Sequence, residues 1–324
     1  MTMPKAAINP NFQSLAGSCL DRRDERFLAY RRAFAENPRT FTVGDFPVHL
    51  DVEVTSRCNL RCTFCNRRTE AVLTSQEDMP LELYRTILAE AAARGLAGLK
   101  LSYRGEPLLH PDIVDMVGLA KAHGLVDVFF NTNGMLLDRD LARALMEAGL
   151  DRVSVSMEGT DPARFEANRR GADFGRIRDN IEGFLELRRS LGRDRPTIRV
   201  QTVRLPWVDL EEYRRFWSPR CDEVAVVELT GLPAPGRPAP DWACPQPWQR
   251  LTIDSAGQVL QCNNCDYRAA PLGLVGQDTI AAIWRHPLLM EARSLHERGL
   301  SHLARACADC PWRNAMLAKE RPTP

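Results

Sequence analysis

What this 324-residue sequence has little of narrows it first. No apolar run reaches the length that a membrane-spanning helix needs, which argues against a helical membrane protein. The opening Met1-Thr2-Met3-Pro4-Lys5-Ala6-Ala7 has no apolar core before a small-residue cleavage site, so no secretory signal is expected. Net charge is only +1, and arginine, which heavily outnumbers lysine, is scattered among Asp and Glu. No general attraction to nucleic acid or to an anionic membrane follows from such a balance. Beyond an alternation of strand-like and helix-like segments, no repeat of fixed period is visible. Cysteine, by contrast, is plentiful: ten residues without a secretory signal point to metal or redox use in a reducing cytoplasm, not to a disulfide framework.

The chain divides into four stretches. Residues 1–46 read as a helical extension, with a charged amphipathic helix from Leu20 to Ala35 that Pro38 stops. From Val48 the pattern alternates. Strands are expected at 48–54, 98–103, 126–131, 151–156, 197–203 and 223–229. Helices are expected between them at 80–94, 111–123, 138–148 (capped by Asp138), 162–167 with 174–191, and 210–217. Six strands alternating with helices imply a parallel sheet with right-handed crossovers. The count falls short of eight, so the expectation for residues 47–230 is an α/β fold, a partial (β/α)6 barrel of the TIM type. Its chemistry belongs at the C-terminal strand ends, where polar, Gly-bearing segments follow. Residues 231–243 read as a Pro-rich linker. Residues 244–324 read as a small Cys-rich domain that opens with a hairpin, Arg250–Ile253 and Gln258–Gln261, followed by helices at 279–285 and 288–298.

The densest chemistry is Cys58-x3-Cys62-x2-Cys65, directly after the first strand. Three thiolates cannot complete a zinc tetrahedron without a fourth ligand. They can hold three irons of a 4Fe–4S cluster and leave the fourth open. A zinc knuckle with a distant ligand is the structural alternative. With Asn59-Leu60 after the first Cys and Phe64 before the last, the motif resembles the radical S-adenosylmethionine (SAM) superfamily. The resemblance implies that the open iron binds the amino and carboxylate groups of SAM. One electron then splits a C–S bond to give a 5′-deoxyadenosyl radical, while the protein orients and excludes. It implies further that Gly105, Glu106 and Pro107, after the second strand, bind the SAM ammonium, where a plain β-turn is the alternative. Asn131 and Asn133 would line the SAM cavity, unless they make local Asx turns. Ser156 would contact the ribose or carboxylate in a segment where Glu158 replaces the family's usual Asp. Arg170, in the stretch Arg169-Arg170-Gly171, would pair with the SAM carboxylate, unless it is a solvated surface residue, and Gln201 would face SAM or substrate, with Arg204 and Glu228 as similar cases.

The distal cysteines resemble the SPASM/twitch domains of the same superfamily. That resemblance implies one auxiliary 4Fe–4S cluster held by Cys244, Cys262, Cys307 and Cys310. Cys265 is left over, as a replacement ligand or as a free thiol that donates hydrogen. The rival is a four-Cys zinc site from Cys262, Cys265, Cys307 and Cys310. Cys19 and Cys221 read as packing residues, His110-Pro111 and His286-Pro287 as helix starts, and Trp242, Trp248 and Trp312 as packing over a cluster. The one-cluster layout resembles twitch-type aminocyclitol dehydrogenases of antibiotic biosynthesis. A sugar or aminocyclitol substrate is therefore expected, with either dehydrogenation or epimerisation, the latter using Cys265 or Cys221 as hydrogen donor. A peptide maturase and a non-catalytic iron–sulfur or zinc scaffold or electron carrier stand as alternatives. A flavodoxin- or ferredoxin-type electron donor is the implied partner.

Overall fold

The computed structural model describes residues 5–6, 12–22, 24–65, 77–227, 242–264, 271–310 and 312–313. Its elements in chain order are β1 (Phe12–Gly17), α1 (Glu25–Thr40), β2 (His49–Val52), β3 (Arg61–Cys62), α2 (Leu81–Ala93), β4 (Gly98–Lys100), α3 (Ile113–Ala122), β5 (Asp127–Thr132) and α4 (Arg139–Glu147). There follow β6 (Arg152–Ser156), α5 (Pro162–Asn168), β7 (Arg169–Arg170), α6 (Phe174–Ser190), β8 (Thr197–Val203), α7 (Leu210–Trp217) and β9 (Glu223–Val227). The C-terminal part adds β10 (Arg250–Ile253), β11 (Gln258–Leu260), β12 (Gly273–Leu274), α8 (Ile280–Trp284) and α9 (Pro287–Glu297).

Six strands, β2-β4-β5-β6-β8-β9, lie parallel in chain order, as the alternation of strand and helix requires. The fold is the expected α/β partial barrel. The sheet continues at both edges. On one side β10 adds in parallel to β2 and carries β11 and β12 with it; on the other, β1 adds antiparallel to β9. The C-terminal hairpin is therefore a continuation of the barrel sheet. Residues 231–241 of the expected linker lie outside the described residues, and residues 242–243 pair with residues 5–6.

Strand alternation sorts the two faces. Leu50, Val52 and Val54 turn outward and are buried with Tyr84, Ile87, Leu88 and Ala91 of α2. Each such side chain contributes about 1.5–3 kcal/mol of burial. The alternate set, His49, Asp51 and Glu53, turns inward, so the barrel has a polar lumen. Helix α1 closes its lower end: the Tyr30 hydroxyl lies 3.1 Å from His49 Nδ1, and Phe27, Tyr30, Phe34 and Val126 pack together there. The N-terminal extension is thus a floor, and the strand C-termini form the open end. Pro38 does not stop α1, which runs on to Thr40. A proline so near the end forfeits one helical bond, and its buried ring supports the last turn.

Candidate functional site

The Cys58–Cys65 loop leaves the C-terminal end of β2 and is gripped from three sides. The first is Gly105: a Cβ there would lie 2.0 Å from the Thr55 carbonyl oxygen, so only glycine lets the two backbones touch. The Glu106 N–H then donates to the Arg57 carbonyl at 2.7 Å. The second is Asn133, whose Nδ2 donates to Asn59 Oδ1 at 2.7 Å while its own Oδ1 accepts from the Met135 N–H in an Asx turn. The third is β7, which pairs antiparallel with β3 so that Arg169 faces Cys62 and Arg170 faces Arg61.

That register decides which arginine matters. Neighbouring strand residues point to opposite sides, so Arg169 is buried and Arg170 is exposed. Arg169 forms a two-pronged ion pair with buried Glu158, lies 3.8 Å from Cys62 Sγ and stands 5.5 Å from the Phe64 ring centre. Arg170, the residue expected to meet a ligand carboxylate, is exposed, and the arginine buried against the loop is Arg169. The role left open for Glu158 is filled as its counter-ion. The longer Glu arm reaches a guanidinium.

Glu106 holds two turns together. Its buried carboxylate accepts from Leu108 N–H (3.1 Å), Thr132 Oγ1–H (2.7 Å) and Asn133 N–H (2.7 Å). Those bonds tie the strand-end turn starting at Pro107 to the turn after β5; they compete with any direct hold on a ligand ammonium. Burial raises its pKa, with these donors opposing. Among the other expected residues, Asn131 and Ser156 sit half-buried at strand ends; the Asn131 N–H donates to Ser102 Oγ. Gln201 Oε1 accepts from Ser154 Oγ–H at 2.9 Å. Arg204 donates its backbone N–H to the Val227 carbonyl.

The three thiols neighbour one another. Burial pushes Cys62 up to about 11, Arg169 opposes, and the Cys65 and Cys58 charges add to the rise. Iron binding must displace that proton.

Below the loop, the lumen holds a charge cluster that sequence reading missed. Asp51 is fully buried and meets His49 Nε2 (3.2 Å), Lys100 Nζ (3.8 Å), Arg250 Nη1 (3.1 Å) and Asn263 Nδ2 (3.0 Å). Burial alone would raise its pKa, but Lys100 and Arg250 more than offset this and hold it well below the usual carboxylate range. Lys100 is held below its ordinary value by burial, against Asp51. The alternation His49-x-Asp51-x-Glu53 in an otherwise apolar strand was the available signal.

At the second site, Cys244 and Cys307 are buried, and Cys262 and Cys310 are half-buried. Burial raises Cys244 far above the ordinary thiol value, and Cys262, Cys307 and Cys310 each raise it further, so the four are electrostatic neighbours. Among the described residues no three Cys, His, Asp or Glu side chains converge as if on one ion. A multi-iron cluster is held by four thiolates around it, and four neighbouring thiols from three separate segments, two of them buried, fit that demand. Buried His296, which sequence reading passed over, lies between them: Nδ1 accepts from the Cys244 N–H at 3.2 Å and Nε2 lies 3.4 Å from Cys307 Sγ. Burial, with Arg313 adding, lowers its pKa to about 4, so the ring is neutral. Trp248 packs its edge against that ring.

Cys265 and Glu228 lie outside the described residues. Cys221 is no hydrogen donor to the open end. Its thiol bonds the carbonyls of Trp217 and Glu223 before the start of β9, at the floor end of the sheet. His110 bonds the Met79 carbonyl, and His286 caps α9, both as structural residues. No described helix is long and apolar enough to cross a membrane.

Comparison with known proteins adds three findings. A family model described as the radical SAM superfamily matches residues 52–193, and one described as an iron–sulfur cluster-binding domain, SPASM, matches residues 244–311. The GTP 3′,8-cyclase of Chlorobaculum tepidum is 35% identical over 170 residues, covering 52% of this chain and 48% of that protein, so the chain spans about half the length of that curated relative. Among solved structures, Streptococcus suis SuiB bound to precursor peptide SuiA has a TM-score of 0.64 at 15% identity, covering 89% of this chain and 78% of that one. BtrN in complex with AdoMet and 2-DOIA has a TM-score of 0.55 at 18% identity, covering 83% and 94%. At such identities the two structures share the fold. The curated relatives, named for GTP and a cyclisation, overturn the expected sugar or aminocyclitol dehydrogenation or epimerisation. The peptide-maturase and non-catalytic alternatives fall with it, as do the antibiotic-tailoring, oxidoreductase and epimerase labels.

Proposed function

We propose, on the premise that this chain belongs to the radical SAM superfamily and carries a SPASM-type iron–sulfur domain, that it is a radical SAM enzyme acting on a purine nucleoside triphosphate. Its cofactors are SAM, a SAM-binding 4Fe–4S cluster and auxiliary iron–sulfur chemistry in the C-terminal domain. Likeness to GTP 3′,8-cyclases carries the substrate reading. In the lumen, Lys100 and Arg250 meet Asp51, and Arg104 meets Glu53 and Asp254, so polar and charged side chains are available to a polar ligand there.

When bound, the first cluster supplies the electron that splits SAM into methionine and a 5′-deoxyadenosyl radical. Cys58, Cys62 and Cys65 hold three of its irons. Gly105 and Pro107 present backbone to the SAM ammonium, and Glu106 fixes the turn that carries them. Asn131, Ser156 and Gln201 line the half-buried approach, Phe64 walls the cluster side, and Asn133 anchors the loop through Asn59. Arg169 sets a fixed positive charge beside Cys62. Cys244, Cys262, Cys307 and Cys310 hold the auxiliary cluster. The floor made by α1 excludes water from below. A flavodoxin- or ferredoxin-type donor and a reducing cytoplasm complete the proposal.

The test is anaerobic: reconstituted protein, dithionite, SAM and GTP, with nucleosides separated by chromatography and mass spectrometry. GTP-dependent 5′-deoxyadenosine together with a cyclised nucleotide is expected. Equal 5′-deoxyadenosine with and without GTP, and no change in GTP, rejects the substrate.

A further inference from the structure

We infer that His296 is a positioning residue of the auxiliary site: its ring donates an N–H to the Cys307 sulfur and thereby sets the reduction potential of the cluster that sulfur binds. The inference rests on the reading that Cys244 and Cys307 are ligands. His296 lies in the last turn of α9 and is fully buried. A backbone N–H can only donate, so the Cys244 N–H at 3.2 Å makes Nδ1 the acceptor. A neutral imidazole has one donor and one acceptor. Its proton is therefore on Nε2, directed at Cys307 Sγ, 3.4 Å away.

This assignment also removes His296 as an iron ligand, because the Nδ1 lone pair is engaged and Nε2 carries hydrogen. The ring bridges two cysteines that are 63 positions apart in the chain, holding the backbone of one and the sulfur of the other. Trp248 fixes its plane, with centroids 6.3 Å apart at 82°. Gln261 Nε2 donates to the same sulfur at 3.5 Å. Cys307 thus receives two N–H donors on rigid supports.

Reduction adds one electron to the cluster and spreads negative charge onto its sulfurs. An N–H held at a sulfur stabilises that added charge and makes the reduced state easier to reach.

The test uses the full chain carrying Cys58→Ala, Cys62→Ala and Cys65→Ala, which isolates the auxiliary signal. Its midpoint potential is titrated under electron paramagnetic resonance. His296→Leu should shift the potential negative, His296→Gln, which keeps an N–H, should recover part of the shift, and Gln261→Leu should produce a smaller negative shift. With 15N-labelled histidine, the reduced cluster should show a weak nitrogen coupling that His296→Leu abolishes. An unchanged potential in His296→Leu at equal iron content overturns the inference, as does a strong coupling typical of a bound nitrogen. Should His296→Leu fail to load iron, absence of the weak coupling in the His296-containing chain overturns it equally. Failure of the underlying reading looks different: the isolating chain then holds no iron, where about four are expected.

Discussion

The two thiol sites differ in how they are covered. Around Cys58, Cys62 and Cys65 the supports are charged: Arg169 on Glu158 and Arg57 on Asp78, with the thiols half-exposed. Around Cys244 and Cys307 both thiols are buried: His296 accepts the Cys244 N–H and meets the Cys307 sulfur, Gln261 donates to that sulfur, and buried Arg313 is an electrostatic neighbour of Cys307 and Cys310. A site that must exchange a small cofactor with solvent needs an open side, and fixed charges keep their orientation there. A site that need not admit a small molecule from solvent can be sealed, and its buried polar groups must then find partners inside the protein.

The contrast breaks most sharply under cysteine removal. Cys62→Ala should lose about four irons and drop SAM cleavage to background. Cys307→Ala should lose a similar amount of iron yet still form 5′-deoxyadenosine with dithionite. Equal loss of cleavage in both would erase the division of labour. Next in size is Arg169→Ala, which strands buried Glu158 and should cost about 3–5 kcal/mol in chemical denaturation. Arg169→Lys should recover only part, lacking the planar fork. Gly105→Ala forces a Cβ into the Thr55 carbonyl and should cost about 1–3 kcal/mol, read as a lowered melting temperature.

The mildest handle lies in the lumen between the sites. Burial, against Asp51, lowers the His49 pKa to about 4. Between the ordinary histidine value near 6.5 and about 4 the unfolded chain binds the extra proton, so stability is lost as pH falls through that window. The slope should be at most about 1.4 kcal/mol per pH unit, and His49→Gln should flatten it. A slope untouched by that change would assign the acid sensitivity to other groups.

Local patterns were readable from sequence. Thr197–Val203 and Leu210–Trp217 fall where alternation and helical spacing put them, and Asp138 caps its helix through the Leu141 N–H. What failed depended on pairing between distant segments. The choice between Arg169 and Arg170 turns on the register of two short strands more than 100 positions apart. His296 looks like an ordinary helix residue until the fold brings Cys244 and Cys307 to its two nitrogens. Substrate class failed because cysteine spacing reports on the radical source and carries nothing about what the radical acts on.

The parallel ladder between β10 and β2 carries one last consequence. Arg250–Ile253 lies in register on His49–Val52, so the backbone leading to the first thiol loop is hydrogen-bonded to the backbone leading to the second. The protein therefore carries a ruler between its redox centres. A slip of one residue would shift one loop against the other by about 3.3 Å and turn every side chain of the strand to the opposite face. With the strands locked in place, the spacing of the two thiol loops is set when the chain folds.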